Sequence, residues 1–313
     1  MLTSGVTFFA AFVLMVVAII YFVGGYFVDL GLRRGSAEDP SAPPAIFRSA
    51  FEGNGSGLHP ASRPDFASEE WQLRSFDGLR LLATHFSPER RSHQWVIIVH
   101  GYGCNQEYGW NYAEAYLEHG YEVVTPDLRA SGKSEGTYLT MGAMESRDIA
   151  AWTKRITEED PEARIVLHGV SMGAATVMLA TAQALPENVV AAVEDCGYTD
   201  TRAVFELELK KLFGLPGFPV LDCADLMCQT KAGFRFSDVE PLRAVRQTRV
   251  PMLFIHGNAD RLVPYEMMER LFAESAAPVK EEFTAKGAAH AAAYQDKGYY
   301  PAVFGFVDRY ARI

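Results

Sequence analysis

A serine with glycines two positions to either side, Gly169-Val170-Ser171-Met172-Gly173, carries the clearest capacity for chemistry in this chain. A serine hydroxyl alone is a weak nucleophile and needs a neighbouring base to take its proton. The glycines leave room for a strained turn that lifts the hydroxyl clear of the backbone. A helix starting directly after the serine aims its positive end at an oxyanion forming there. The apolar run before the serine, IVLHGV, and the small-residue run after it, MGAATVMLA, supply that strand, turn and helix.

A base and an acid are then required. Of the eight histidines, His290 in TAKGAAHAAAY is the last, in a small-residue loop between the last predicted strand and the last predicted helix. Such a loop can reach back to Ser171. Asp260, in MLFIHGNADRLVP, follows an apolar strand and occupies the loop at its C-terminal end, where open α/β sheets place their sites. The order Ser171, Asp260, His290 is the nucleophile, acid, base order of one strand-elbow architecture. Asp195, in VEDCGY, is the rival acid, with the alternative role of positioning an inserted segment or lining a pocket. A second glycine-rich turn, His100-Gly101-Tyr102-Gly103, ends the strand WVIIV. The amides of Tyr102 and Met172 are the candidate donors to an oxyanion, and Cys104 reads as a neighbour of that turn.

Other motifs carry less. Gly132-Lys133-Ser134 imitates the end of a phosphate-binding loop, but Asp127 stands where that loop needs its first glycine. Glu158-Glu159-Asp160 reads as a solvated helix end, and no H-E-x-x-H is present, so no metal site is expected.

The elements that position these residues alternate between strand and helix. Predicted strands are Gln72–Ser75, Arg80–Phe86, Trp95–His100, Glu122–Thr125, Arg164–His168, Val189–Glu194, Met252–His256 and Glu281–Phe283. Runs such as WVIIV and PMLFI are apolar throughout, as expected of parallel strands covered on both faces. Helical patterns fall at Tyr108–His119, Met144–Glu158, Met172–Ala184, Tyr265–Ser275 and Pro301–Arg309. The first two strands meet at Asp77-Gly78 as an antiparallel pair. Residues 199–247 interrupt the alternation, are mostly helical in pattern and read as an inserted cap. Their apolar side chains pack on the sheet domain or roof a pocket for an acyl group.

A formal charge of −10 argues against a nucleic-acid partner. The four cysteines, at 104, 196, 223 and 228, form no C-x-x-C pair and read as free thiols of a reducing compartment. From Val6 to Val28 no side chain is charged, a stretch long enough to cross a bilayer as a helix. No basic residue precedes it, as a cleaved signal would require. Residues 1–30 are therefore expected to be a transmembrane anchor, and Arg33, Arg34 and Arg48 beyond it place the rest of the chain in the cytoplasm. Residues 31–68, rich in Gly, Ser, Pro and Ala, read as a linker with at most a short helix around residues 45–51. Residues 69–313 form the catalytic domain.

Taken together, HGYGCN, DLRASGKSEG, HGVSMGAA, EDCGYTD, FIHGNADRLVP and the His290 loop resemble the α/β-hydrolase superfamily, and within it bacterial membrane-anchored esterase- or lipase-like hydrolases. The resemblance runs from about residue 71 to 313. It implies an eight-stranded, mostly parallel sheet with helices on both faces and a Ser171-Asp260-His290 triad. It also implies oxyanion donors at Tyr102 and Met172 and no cofactor. Two positions depart from the family pattern: Ala289 precedes the base, and Ala130 stands in the Asp127–Gly132 turn where glycine is usual. The expected activity is hydrolysis of carboxylic esters of modest acyl length through an acyl-enzyme. The alternatives are a peptidase or acyltransferase on the same three residues, or a non-catalytic membrane-tethered scaffold.

Overall fold

A computed structural model of the chain describes residues 2–35, Pro44, Ile46, Gly57 and 59–312. Eight strands form one sheet: β1 (Ala67–Arg74), β2 (Arg80–Ser87), β3 (Gln94–Val99), β4 (Glu122–Pro126), β5 (Arg164–Val170), β6 (Val189–Asp195), β7 (Met252–Gly257) and β8 (Lys280–Ala285). Their spatial order is β1-β2-β4-β3-β5-β6-β7-β8. β2 runs antiparallel to both β1 and β4, and the remaining neighbours are parallel. β3, β5 and β7 are buried over almost their whole length, which is why they read as unbroken apolar runs. The edge strand β1 starts five residues before the expected Gln72. Its first residues, ASEE, are polar and exposed, and only Trp71 is buried, so the pattern there carries no apolar signal.

The described helices are α1 (Leu2–Ile19) and α2 (Gly25–Leu32), joined by a π-helical turn at Ile20–Gly24, and then α3 (Gln106–Glu118), α4 (Glu145–Glu159), α5 (Met172–Thr181), α6 (Thr201–Phe213), α7 (Gly217–Lys231), α8 (Pro241–Val245), α9 (Tyr265–Glu274) and α10 (Tyr299–Ala311). One face of the sheet packs on α3 and α10 through Tyr116, Val303 and Phe306. The other packs on α4, α5 and α9 through Trp152, Val177 and Leu271. α6, α7 and α8 fall within the expected cap.

Arg129 is buried in the departing turn, with Nε and Nη2 donating to Asp148 at 2.7 and 2.9 Å and Nη1 to Asp77 at 2.8 Å. Ala130 takes φ 55°, the left-handed conformation that glycine would adopt there without steric cost. The Gly132-Lys133-Ser134 segment folds around Asp127, whose carboxylate accepts the Lys133 amide at 2.8 Å, while the Ser134 hydroxyl donates to the Asp127 carbonyl at 2.7 Å. It is a structural turn.

The N-terminal region differs from its expected boundaries. Phe8–Leu32 is long and apolar enough to cross a membrane. However, its last turns are buried against protein: Gly24, Val28 and Leu32 recur every four residues on one face, and all three are covered. The helix runs to Leu32 instead of stopping near residue 30. Beyond it the main chain stays bound, with the Leu139 amide donating to the Leu32 carbonyl and the Arg34 amide to the Thr137 carbonyl, both at 2.9 Å. At the far end of the expected linker, the Gly57 amide donates to the His290 carbonyl at 2.9 Å and the Ala61 amide to Glu107 at 3.0 Å. The short helix expected around residues 45–51 lies, apart from Ile46, outside the described residues.

Val28 and Leu32 are each 2% exposed. Full burial of such a side chain contributes roughly 1.5–3 kcal/mol. A fragment starting after residue 35 is therefore expected to be about 3–6 kcal/mol less stable than the full chain in the same detergent, read by urea unfolding. Equal stabilities would mean that the lower helix only tethers the domain.

Candidate active site

β5 ends at Val170 and α5 starts at Met172, so Ser171 alone makes the turn. Its φ of 59° and ψ of −118° form a conformation that non-glycine residues avoid. The Ser171 amide donates to the Asp195 carbonyl at 2.8 Å, which ties the turn to the end of β6. Both flanking glycines are sterically required. A Cβ on Gly169 would lie 2.2 Å from the Gly173 carbonyl oxygen, and one on Gly173 would lie 2.0 Å from that of Val99.

The structure brings the three residues singled out in the sequence into one hydrogen-bonded chain. The Ser171 hydroxyl lies 2.8 Å from His290 Nε2, and His290 Nδ1 lies 2.7 Å from Asp260 Oδ2. All three are nearly or fully buried. The second oxygen of Asp260 accepts the amides of Leu262 and Val263 at 2.8 and 3.0 Å, which fixes the carboxylate in the loop after β7. Burial opposes its ionisation, but His290 and His256 outweigh burial and hold its pKa well below the ordinary carboxylate value. The rival, Asp195, makes no bond to His290. Its Oδ2 accepts the Tyr299 hydroxyl at 2.8 Å, and burial pushes its pKa up to about 6.

The turn carrying Tyr102 passes directly over the serine: a Cβ on Gly101 would come within 3.3 Å of Ser171 Cβ. His100 sets that turn. Its Nε2 accepts the Leu128 amide at 3.1 Å, so the ring proton sits on Nδ1 and is donated to the Gly101 carbonyl at 2.9 Å. Met172 is the first residue of α5, where a helix amide has no acceptor within the helix. Tyr102 and Met172 both border the cleft above Ser171. Cys104 is buried, with its thiol pKa raised by desolvation, an environment opposed to thiolate formation. All four cysteines are free and buried.

Two residues at the site were not identified from sequence. His256, at the end of β7, places Nε2 3.1 Å from Asp260 Oδ2 and 3.0 Å from the Val263 carbonyl. Both are acceptors, so that nitrogen carries the proton and Asp260 receives donors from two imidazoles. The four-residue spacing to Asp260 was the available signal. Glu208 of α6 borders the cleft with Ser171. Its Oε1 is 3.4 Å from Lys211, its Oε2 is buried without a partner among the described residues, and burial raises its pKa against the pull of Lys211 and His290. Glu208 lies inside the apolar cap pattern, where a lone carboxylate is inconspicuous.

The cleft encloses about 950 Å³ including its open mouth, with Ser171 on its floor. Its walls are mostly apolar, from Leu209 and Leu212 of the cap, Met141 and Val263 of the sheet domain, and Phe27 and Leu30 of the N-terminal helix.

Residues 96–302 match the model of a family described as the alpha/beta hydrolase family. The chain is similar to protein YqkD of Bacillus subtilis (strain 168), 28% identical over 200 residues that cover 64% of this chain and 65% of that one. The match thus spans about two thirds of each. Protein YfhR of Escherichia coli (strain K12) is 24% identical over 221 residues, covering 69% of this chain and 71% of the relative. Among solved structures, the esterase Pf2001 of Pyrococcus furiosus superposes with a TM-score of 0.66 at 22% identity, covering 82% of this chain and 99% of the esterase. An acylaminoacyl peptidase of Pyrococcus horikoshii reaches 0.58 at 18% identity, over 79% of this chain and 42% of the peptidase. At these identities the two structures speak to the fold.

Behind the site, Glu194 is fully buried. Its Oε2 accepts the Gly197 amide at 3.0 Å, its Oε1 has no partner among the described residues, and burial pushes its pKa up to about 8 from 4.5. The folded chain holds this proton after the unfolded chain releases it, so stability falls as pH rises from about 4.5 to about 8, by roughly 1.4 kcal/mol per pH unit. The Asp195 contribution ends near pH 6. Glu194→Gln, which mimics the protonated form, is therefore expected to flatten the loss of unfolding free energy between pH 6 and 8. An unchanged slope in urea titrations at those two pH values would show that Glu194 is ionised in the fold.

Proposed function

The chain belongs to the alpha/beta hydrolase family, and from that premise we propose that it cleaves carboxylic esters of modest acyl length through an acyl-enzyme on Ser171. The single observation that carries this reading is the unbroken chain of hydrogen bonds from the Ser171 hydroxyl through His290 to Asp260, at the floor of an apolar cleft.

In the proposed mechanism the Ser171 oxygen attacks the ester carbonyl carbon while its proton passes to His290 Nε2. Asp260 keeps the other ring proton on Nδ1 and stabilises the imidazolium that forms. The carbonyl oxygen, now anionic, is held by the Tyr102 and Met172 amides; each such donor contributes roughly 3–4 kcal/mol to the transition state. Collapse of the tetrahedral species breaks the bond to the alcohol, which leaves with the proton from His290. Water then repeats the sequence on the acyl-enzyme and releases the acid. The strained Ser171 backbone holds the oxygen in place, so little conformational freedom is lost on reaching the transition state.

We further propose that the N-terminal helix is an uncleaved single-pass anchor and that the catalytic domain lies on the cytoplasmic side. Four buried free thiols support the reducing compartment. Arg33 and Arg34 following the apolar stretch support the orientation. Arg34 also has a structural task, since its guanidinium donates to the Gly132 carbonyl at 2.9 Å and to that of Ser134.

Ser171→Ala in the full chain is expected to abolish labelling by a fluorophosphonate probe and to lower kcat on p-nitrophenyl butyrate by about 10⁴-fold or more. Wild-type protein that neither labels nor turns over the ester at neutral pH would favour the binding-scaffold reading, and turnover confined to aminoacyl anilides would favour the peptidase.

A further inference from the structure

We propose that the chain's own membrane helix completes the acyl-binding wall of the site, so that the substrate is a lipid-like ester dissolved in the bilayer whose acyl tail lies along α2. This rests on the ester-hydrolase reading and adds the source of the substrate and the surface that selects its tail.

The depth of the helix follows from where its exposure ends. The apolar span is Phe8–Leu32, and from Phe8 to Phe22 most of its side chains are exposed. The next turn cannot face lipid. A Cβ on Gly24 would lie 2.3 Å from the Cys223 carbonyl oxygen, so the two backbones are in direct contact. Exposure to lipid therefore ends where α7 of the cap takes over, and the cleft begins beside that point.

The cap is built for that position. α7 runs alongside the helix, with Gly24 against Cys223 and Met227, and Gly25 and Asp29 against Lys231. The start of α7 therefore points back towards the apolar span. That start and the turn before it carry Phe213, Leu215 and Phe218, all exposed, the last at 75%. The Phe213 ring meets that of Phe27 at 5.5 Å, so this patch is continuous with the helix. Exposed apolar side chains beside a membrane span make an interfacial surface.

The same turns of helix line the cleft. Phe27, Leu30 and Gly31 border it opposite Leu212 and Phe213, with Ser171 at the floor. The contact extends to the proposed oxyanion turn, because the Tyr102 hydroxyl donates to the Gly31 carbonyl. A tail leaving the bilayer along this face passes from lipid to Phe27 and Leu30 and then to Ser171 along mostly apolar walls.

The test uses the full chain in lipid nanodiscs with p-nitrophenyl butyrate and p-nitrophenyl decanoate. Leu30→Trp, which fills the wall, is expected to lower the decanoate-to-butyrate ratio of kcat/KM by about tenfold or more. Phe27→Ala, which opens it, is expected to raise that ratio. Leu14→Trp, on the lipid-facing part of α1, is expected to keep the wild-type ratio. Wild-type ratios in both wall variants, or an equal shift in Leu14→Trp, would overturn the assignment of the helix while leaving the esterase reading intact. A wild type that cleaves neither ester would instead remove the reading on which it rests.

Discussion

No atom larger than hydrogen fits between the start of α5 and the end of β3, and the site is organised around that restriction. Because Gly173 can approach Val99 so closely, α5 packs tightly on the sheet, and the chain must reverse over one residue. That residue, Ser171, is left with φ 59° and with its amide bonded to the end of β6. The same approach carries the ends of three adjacent strands to one point, where the Tyr102 turn, the serine and the Asp195 carbonyl meet. The strain at Ser171 persists because burial and bonds on all sides over-determine it.

Electrostatics around that point are divided sharply. Asp260 receives two imidazole nitrogens and two amides, so the folded chain strongly favours its anion. A strand away, Glu194 and Asp195 are as deeply buried but have fewer donors, and burial raises both. Carboxyl groups on neighbouring strands are thus shifted in opposite directions, Asp260 downward by the two imidazoles and Glu194 and Asp195 upward by burial. Asp260 suits the role because its Oδ2 lies 2.7 Å from His290 Nδ1, where its negative charge favours the imidazole tautomer that leaves Nε2 free to receive a proton.

Much of this was legible in the residues. Parallel strands buried on both faces must be apolar throughout, so β3, β5 and β7 show in WVIIV, RIVLHGV and MLFIHG. The glycine spacing around Ser171 encodes a steric restriction, and steric restrictions are readable one residue at a time. Asp260 was preferred to Asp195 from its loop and the residue order, but the partners that distinguish them lie far along the chain: His290 for Asp260, and Tyr299, over a hundred residues downstream, for Asp195. His256 escaped although its partners, Asp260 and Val263, are close in sequence, because a histidine ending a buried strand has no distinctive pattern, and Glu208 escaped because the cleft it borders exists only after folding. The edge strand β1 carries its alternation too weakly to mark its start.

The boundary of the N-terminal apolar helix was hidden by a more general ambiguity. An apolar helix face has the same composition whether it meets lipid or protein, so Phe8–Leu32 reads as one stretch although its environment changes midway. The residues that mark the change are small or polar. Gly24 admits a neighbouring backbone. Five residues later, Asp29 accepts the Tyr138 hydroxyl at 2.8 Å and pairs with Lys231. An ionised carboxylate bound in this way belongs to protein and not to hydrocarbon, since burying it without such partners would be prohibitive. The face of the helix that carries Gly24, Val28 and Leu32 is accordingly packed into the core of the folded domain.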